Sequence, residues 1–590
     1  MYLIYSYRVS DSYIYWRGRK RPYTRTRYNI LGSKHSYDIY MKMCGILARL
    51  GNKQVPSNIT PFVNRLKARG PEQMQIREVS DTVTMGFTRL AINGLTEDGM
   101  QPFTKGPVTW ICNGEIYNYK KLEAELGWST PGSSDCACIG ELYLKYRDSP
   151  STFLRALDGV FALIIYDDER KQLFVARDPY GVRPLFVASK PSFPPFTFSS
   201  HMFVSEVKAA SPYFDIINPF YPGNFSIYNT ETLAVVSGQQ YHTIPWVLQP
   251  QFDPSVEHSF NDASVALRFA LEESVRKRIP LEVEPACLLS GGLDSSLIAA
   301  LVQQNLRQAK RPSLQTFSIG FKGSSDLKHA KIVADWIGSR HTEITMTPQD
   351  FFQRIPEVIK AIETCDTTTV RASVGNYLVA EMIKKNTNCK VVFNGDGSDE
   401  LFGGYLYFNN SPDDQEFHAE TNRLLQDIHF FDVLRSDRCI SAHGLEARTP
   451  FLDKQLVALV RSMHPSLLRP IIGNQVEKEL LRCAFDDGVM LPSEVLWRRK
   501  EAFSDGVSGT EKPWYQEIQD RIELPADWKD IAEISYSNHL KPNTPEEFYY
   551  RQIFCSEYGN ANIQNLWPYR WMPKWCPETT DPSARTLGVY

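Results

Sequence analysis

The chain has 590 residues, 42% of them apolar, and a formal net charge of -3. That length exceeds what one hydrophobic core serves, so two or more domains are expected, and the near-neutral charge gives no electrostatic case for nucleic acid. No uninterrupted apolar run reaches membrane-spanning length, and the 11 cysteines are scattered, with Cys112, Cys287 and Cys389 inside apolar runs. These features suit reduced thiols in a cytoplasmic protein without a membrane span, rather than a disulfide framework.

In chain order, residues 1–43 are rich in Tyr, Arg and Lys, carry only Asp11 and Asp38 as acids, and lack sustained apolar periodicity; they read as a leader that is disordered or absent from the mature protein. Abundant aromatics and the lack of an amphipathic stripe argue against an organelle transit peptide. Residues 44–237 show short apolar runs (Val108 to Cys112, Phe161 to Tyr166, Leu173 to Ala176, Pro184 to Ala188), the pattern of a β-rich domain with a few helices. Cys136 and Cys138 form an isolated C-x-C without a second pair, which speaks against a metal site. Residues 238–258, with Pro245, Pro250 and Pro254, read as a linker. Asp262 is a candidate cap for a helix in which Leu267, Leu271, Val275 and Ile279 recur every four residues until Pro280 ends it.

From there to about residue 570 strands and helices alternate: strand Ala286 to Leu289, a helix from Ser295, strand Gln315 to Ile319, helix Leu327 to Ile337, strand His341 to Thr345, a helical stretch to Glu363, and strand Val391 to Phe393. Alternation of this kind predicts a parallel sheet covered on both faces, which binds ligands beyond the carboxyl ends of its strands. SGGLDSS (Ser290 to Ser296) and NGDGSDE (Asn394 to Glu400) each follow such a strand, so both are expected at one site. Residues 421–489 read as mainly helical, and 571–590 as a C-terminal tail.

The SGGLDSS segment places two glycines between a buried strand and a helix start. Glycine lets the backbone approach a ligand closely, and the first amides of the following helix suit an anion, phosphate above all. The Gly-Lys-Ser/Thr ending of the P-loop is missing, so this is not an ordinary ATPase or kinase loop. It resembles the pyrophosphate loop of enzymes that adenylate a substrate.

A second constellation lies near the front: Met43-Cys44-Gly45-Ile46, Arg69-Gly70-Pro71, Arg89-Leu90-Ala91-Ile92, Asn113-Gly114-Glu115-Ile116-Tyr117-Asn118, Ser134-Asp135, and Arg177-Asp178 with Gly181 to Leu185. In this order the segments resemble the glutaminase domain of N-terminal-nucleophile amidotransferases. Joined to SGGLDSS, to Glu363-Thr364 and Thr368 to Ser373, to GSDELFGGYLYF from Gly397, to Glu446 to Asp453 and to WRRKEAFSDGV from Trp497, they resemble the glutamine-hydrolysing asparagine synthetase family from Met43 nearly to the C-terminus.

The resemblance implies an Ntn-hydrolase αββα sandwich followed by a doubly wound parallel-sheet ATP-pyrophosphatase domain with a helical C-terminal part. It implies ATP-dependent synthesis of asparagine from aspartate and glutamine through β-aspartyl-AMP, with glutamate, AMP and pyrophosphate released. Cys44 becomes the nucleophile and its own α-amine the base, which requires Cys44 to be the first residue of the mature chain; trimming at Met43 is therefore expected. Asn113 and Gly114 would form the oxyanion hole, Arg89 would pair with the glutamine carboxylate and Asp135 with its ammonium, and Leu90, Ala91, Ile92, Asn93 and Glu115 would complete the pocket. In the second site Leu289, Ser290, Gly291, Gly292, Leu293, Ser295, Ile319, Asn394 and Gly395 would line the ATP pocket, and Asp294 and Asp399 would hold Mg²⁺ on the phosphates. Lys478, Arg371 and Thr368 would meet developing phosphate charge, and Asp396 would stand where the family has a catalytic glutamate. An apolar passage would carry ammonia between the sites, since ammonia in water is largely protonated. A homodimer is compatible with the resemblance.

The chain also departs from the family pattern. Ser-Gly-Glu becomes Asn394-Gly395-Asp396, which withdraws the acid by on the order of an ångström. The usual Gly-Ser-Asp-Cys-Glu becomes Ser133-Ser134-Asp135-Cys136-Ala137. A β-lactam synthetase relative would lack the nucleophilic cysteine and the segments at Glu363 and Trp497, all present here. An ammonia-dependent synthetase, or a weakened homologue acting as a binding or regulatory protein, remains the competing reading, supported by Asp396, Asn394 and the internal position of Cys44.

Overall fold

The computed structural model describes residues 44–587 apart from 52–57, 71, 129–133, 193–196, 212, 215, 245–251, 254, 256–258, 474 and 509–511. The expectations placed on 1–43, on Pro71, on Ser133 and on Pro245, Pro250 and Pro254 lie outside the described residues.

The N-terminal half is built on two six-stranded antiparallel sheets. The first runs in the order β10 (Ile216–Pro219), β8 (Phe186–Ser192), β9 (Thr197–Val204), β1 (Gly45–Gly51), β3 (Val83–Arg89), β2 (Gln73–Glu78). The second runs β12 (Val235–Gln240), β11 (Asn224–Asn229), β7 (Gln172–Arg177), β6 (Gly159–Asp167), β5 (Val108–Ile116), β4 (Phe103–Lys105).

Period-two alternation explains the layers. Ile46, Ala48 and Leu50 of β1 meet Ile111 of β5, Ala162 and Ile164 of β6 and Val175 of β7 between the sheets. The opposite faces of β5, β6 and β7 (Trp110, Leu163, Phe174) are covered by the helices around Leu122, Leu142 and Phe153. The outer face of the first sheet, with Leu47 and Met202, is covered by Phe62, Val63 and Val207. The expected αββα sandwich is the result. Because its central strands are buried on both faces, they read in sequence as apolar runs rather than as alternation. β12 extends past Ser237 to Gln240, so the sheet ends inside the segment read as a linker.

The C-terminal half holds a five-stranded parallel sheet in the order β15 (Arg340–Thr345), β14 (Gln315–Gly320), β13 (Pro285–Leu288), β16 (Val391–Phe393), β17 (Glu446–Arg448). Both faces are covered: Cys287 and Phe393 pack with Leu271, Leu297 and Val333, while Ala286 and Val392 pack with Val374, Tyr377 and Phe554. The chain leaves β13 toward β15 and returns on the other side through β16, so the β13/β16 border is the topological switch point at which such sheets open a crevice. The first helix starts at Ser259, which puts Asp262 in its first turn rather than at its cap. Residues 571–587 are not a loose tail: Trp571 and Leu587 are buried in the core of this half.

The halves share apolar and ionic cores. Leu90, Ile92, Val160 and Val182 join the cluster that contains Leu289, Leu297 and Phe393. Buried ion pairs run from Asp437 to Arg183 (3.6 Å), Arg183 to Glu446 (3.0 Å), Glu446 to Arg448 (3.0 Å) and Arg448 to Glu115 (3.0 Å).

Candidate active site

Cys44 stands at the start of β1, and the Leu90 N–H donates to its Sγ at 3.3 Å. Arg69, wholly buried, donates Nε to the Cys44 carbonyl at 3.0 Å and binds Glu206 and Asp437, each at 2.8 Å. Burial pushes the Cys44 thiol up to about 12, the Leu90 backbone contact opposing it. At neutral pH the thiol is therefore protonated and needs a base to become a nucleophile.

β5 supplies the neighbouring groups. Asn113 Nδ2 is buried without a hydrogen-bond partner among the described residues. At Gly114 a Cβ would lie 2.2 Å from the Val160 carbonyl oxygen and 2.7 Å from Phe161 Cα, so only glycine permits this approach of β5 to β6. Asp135 accepts from the Ile116 N–H at 2.7 Å, from Ser134 Oγ at 3.1 Å and from Asn93 Nδ2 at 3.4 Å. Burial raises its carboxyl above the usual range, and among the described residues no Lys or Arg side chain is bonded to it. Glu115 is pushed up to about 8 by burial, which outweighs the Arg448 guanidinium beside it. Arg89 donates to Gln73 Oε1 at 3.0 Å, to the Thr96 carbonyl at 2.8 Å and to the Gly94 carbonyl, with no carboxylate partner among the described residues. Ala91 is gripped from both domains, its N–H by Glu72 at 2.7 Å and its carbonyl by Lys390 Nζ at 2.7 Å.

The second site is a cavity of about 230 Å³ at the β13/β16 switch point. It is lined by Leu289, Ser290, Gly292, Leu293, Asp294, Ser295, Ile319, Thr368, Asn394, Gly395, Asp396, Asp399 and Lys478. Gly291 lies beneath the lining: its φ of +73° makes the turn, and a Cβ there would sit 2.4 Å from the Ala330 nitrogen. The helix Leu293–Gln308 starts at once after Gly292.

Lys478 Nζ binds both oxygens of Asp294 at 2.7 Å and Asp399 Oδ1 at 2.6 Å. Lys500 Nζ reaches Asp399 Oδ2 at 2.5 Å, and Ser398 Oγ donates to Asp294 Oδ1 at 2.8 Å. Burial works to raise the Asp399 carboxyl, but the Lys478 and Lys500 ammoniums outweigh it and hold it well below the usual range. Thr368 Oγ1 is buried without a partner among the described residues.

The asparagine synthase family profile matches residues 266–416 and 409–556, and a glutamine amidotransferase domain profile matches residues 43–222. A rat protein named asparagine synthetase [glutamine-hydrolyzing] is 40% identical over 93% of this chain and 99% of its own length. The human protein of the same name is 39% identical over the same shares. The chain belongs to the asparagine synthase family. Among solved structures, a glutamine phosphoribosylpyrophosphate amidotransferase from B. subtilis is similar over 51% of this chain and 91% of its own, with 14% identity and a TM-score of 0.30.

One residue expected in the synthetase cavity stands elsewhere. Arg371 donates Nε and Nη2 to Glu546 at 2.8 and 2.6 Å, and Nη1 and Nη2 to Asp581 at 2.7 and 2.8 Å. Its guanidinium fork is filled by two carboxylates and does not line the cavity. Sequence reasoning in turn gave no role to Lys500, although it lies in the WRRKEAFSDGV segment that carries the family resemblance. It missed Arg435 as well, whose Nη2 binds Asp396 Oδ1 at 3.0 Å; nothing in the pattern around Arg435 signals it.

Proposed function

We propose that this chain couples two half-reactions of its family: glutamine hydrolysis at Cys44, and adenylation of aspartate in the switch-point cavity followed by attack of ammonia. The observation that carries the reading is the convergence of the SGGLDSS turn and the NGDGSDE loop on one ammonium, Lys478, held between Asp294 and Asp399.

In the first half-reaction the Cys44 thiolate adds to the glutamine amide carbonyl. The proton goes to the α-amine of Cys44, which must be free, so a chain with Met43 still attached lacks the base. Asn113 Nδ2, without a partner among the described residues, and the Gly114 N–H suit the oxyanion. Asp135, buried without a cation, suits the substrate ammonium, while Arg89, filled by carbonyls and an amide oxygen, supports the pocket wall and meets a carboxylate only by exchanging those partners.

In the second, an aspartate β-carboxylate oxygen attacks the α-phosphorus of ATP and pyrophosphate leaves; ammonia then forms the C–N bond as the C–O bond to AMP breaks, and its proton passes to Asp396. Lys478 and Lys500 are cations that line the cavity and suit the phosphates, and Thr368 Oγ1, a hydroxyl without a partner among the described residues, is on the same lining. Asp294 and Asp399 are the hard-oxygen carboxylates of the cavity, now paired with Lys478 and Lys500, that would hold a Mg²⁺ brought in on the phosphates by exchanging part of those contacts. They would hold the ion, which would withdraw charge from the phosphates. The apolar cluster joining Leu90, Ile92 and Val182 to Leu289 and Phe393 keeps water out of the boundary between the two halves, as transfer of unprotonated ammonia requires.

The test is pyrophosphate and asparagine formation from aspartate and MgATP, with glutamine and with ammonia, on protein beginning at Cys44. Pyrophosphate without asparagine, or neither product, would refute the synthetase reading.

A further inference from the structure

Two residues of the cavity wall, Asn394 and Asp396, touch each other. Asn394 closes β16, its side chain is buried, and its two amide hydrogens have separate destinations: Asp396 Oδ2 at 2.8 Å and Ser436 Oγ at 2.6 Å. The other oxygen of Asp396 accepts from Arg435 at 3.0 Å, and the same nitrogen of Arg435 also reaches Asp432 at 2.7 Å. Both oxygens of the short acid are thus tied to one helix, Asp432–Ser441, directly through Arg435 and indirectly through Asn394 and Ser436.

The chemistry of the pair couples the two positions. A serine at 394 has one hydroxyl hydrogen on a shorter stem, so it cannot donate to Asp396 and to Ser436 at the distances the amide spans. A glutamate at 396 carries its carboxylate one methylene further, away from the donors that hold the shorter acid. Each side chain suits the other.

We infer that Asn394 is a positioning residue that fixes the Asp396 carboxylate for the proton released when ammonia attacks the adenylate, and that Asn394 and Asp396 act as one unit. This rests on the synthetase reading of the cavity. In the step concerned, the ammonia nitrogen forms the C–N bond, the acyl C–O bond to AMP breaks, and one N–H proton passes to a carboxylate oxygen of Asp396. A carboxylate held at both oxygens is preorganised for that transfer.

The experiment is single-turnover, ammonia-driven asparagine formation by the parent protein, Asn394→Ser, Asp396→Glu and the double variant, with thermal melting to show that each is folded. Each single change lowers the rate about tenfold, the worth of one hydrogen bond to a charged group, and leaves the KM for aspartate unchanged. The double variant recovers well above the product of the single effects. Ser436→Ala lowers the rate about threefold in the parent and adds no loss to Asn394→Ser, which a general packing role does not predict. Single effects that multiply in the double variant overturn the inference. So does an Asn394→Ser protein whose KM for ATP rises while its rate holds. A parent that releases no pyrophosphate with aspartate overturns the proposed function and this inference together.

Discussion

Asn113→Ala separates catalysis from stability with unusual clarity. Asn113 Nδ2 is buried with no partner among the described residues, so the folded state bears the desolvation of that donor without a compensating bond from them. Removing the amide relieves about 1–3 kcal/mol of that penalty and loses packing of similar size, so the melting temperature stays within about 3 °C. The transition state loses more. An oxyanion donor contributes on the order of 3–4 kcal/mol, a hundred- to thousandfold in kcat, because the negative oxygen exists only after the thiolate has added. Glutamine hydrolysis by protein beginning at Cys44 should fall by that factor, while asparagine formation from ammonia is unchanged. A loss under about tenfold, or an equal loss with ammonia, would show that Asn113 is not the oxyanion donor.

Further outcomes follow from the same geometry. Cys44→Ala abolishes glutamine-dependent asparagine formation and leaves ammonia-dependent formation intact; loss of both in a folded protein refutes the nucleophile assignment. Asp294→Asn removes half the charge that holds Lys478 and lowers ammonia-driven pyrophosphate release at least about a hundredfold while glutamine hydrolysis persists, as paired product assays would record. Glu546→Gln leaves Arg371 buried with only Asp581 as its anion and destabilises the fold by about 3 kcal/mol; an unchanged urea midpoint would contradict the clamp. Burial holds His242, His418 and His443 down to about 4, so between pH 6.5 and about 4 the unfolded chain binds protons that the folded one does not. Stability therefore falls as pH drops through that window, and His443→Gln should remove on the order of 2–3 kcal/mol of the fall; identical melting-temperature profiles for the two proteins would refute this.

Features that a few adjacent residues determine were legible in the sequence. The turn after β13 was visible because an apolar strand, two glycines and a helix start follow one another, and Gly291 does occupy the left-handed region that such a turn requires. β17 was not visible, since its three residues include Glu446 and Arg448, whose charges are buried among Arg183 and Glu115 rather than presented to water. A strand of paired ions has no apolar signature. The helix Thr367–Asn386 was missed for a related reason: it opens on β-branched residues, which favour strands, and is buried on so many sides that no polar face marks its period. Its start is fixed by Asp366, whose side chain accepts from the Thr369 N–H at 2.9 Å. The partners of Arg371 lie 175 and 210 positions away, a separation at which sequence pattern carries no information.

Lys478 shows how the chemistry accounts for a backbone that local rules disfavour. It caps the helix Glu479–Ala484 at φ +58°, a left-handed conformation that costs a side chain of this kind on the order of 1–3 kcal/mol. Glycine would adopt the same turn without strain but would leave Asp294 and Asp399 facing each other in the cavity with only Lys500 between them. The strained lysine is retained because its ammonium binds both carboxylates. Lys478→Gly should therefore relax the turn and still lower stability, through repulsion of the two aspartates, as well as pyrophosphate release. A glycine variant that melts higher and keeps its synthetase rate would show that the left-handed lysine serves neither charge balance nor phosphate binding.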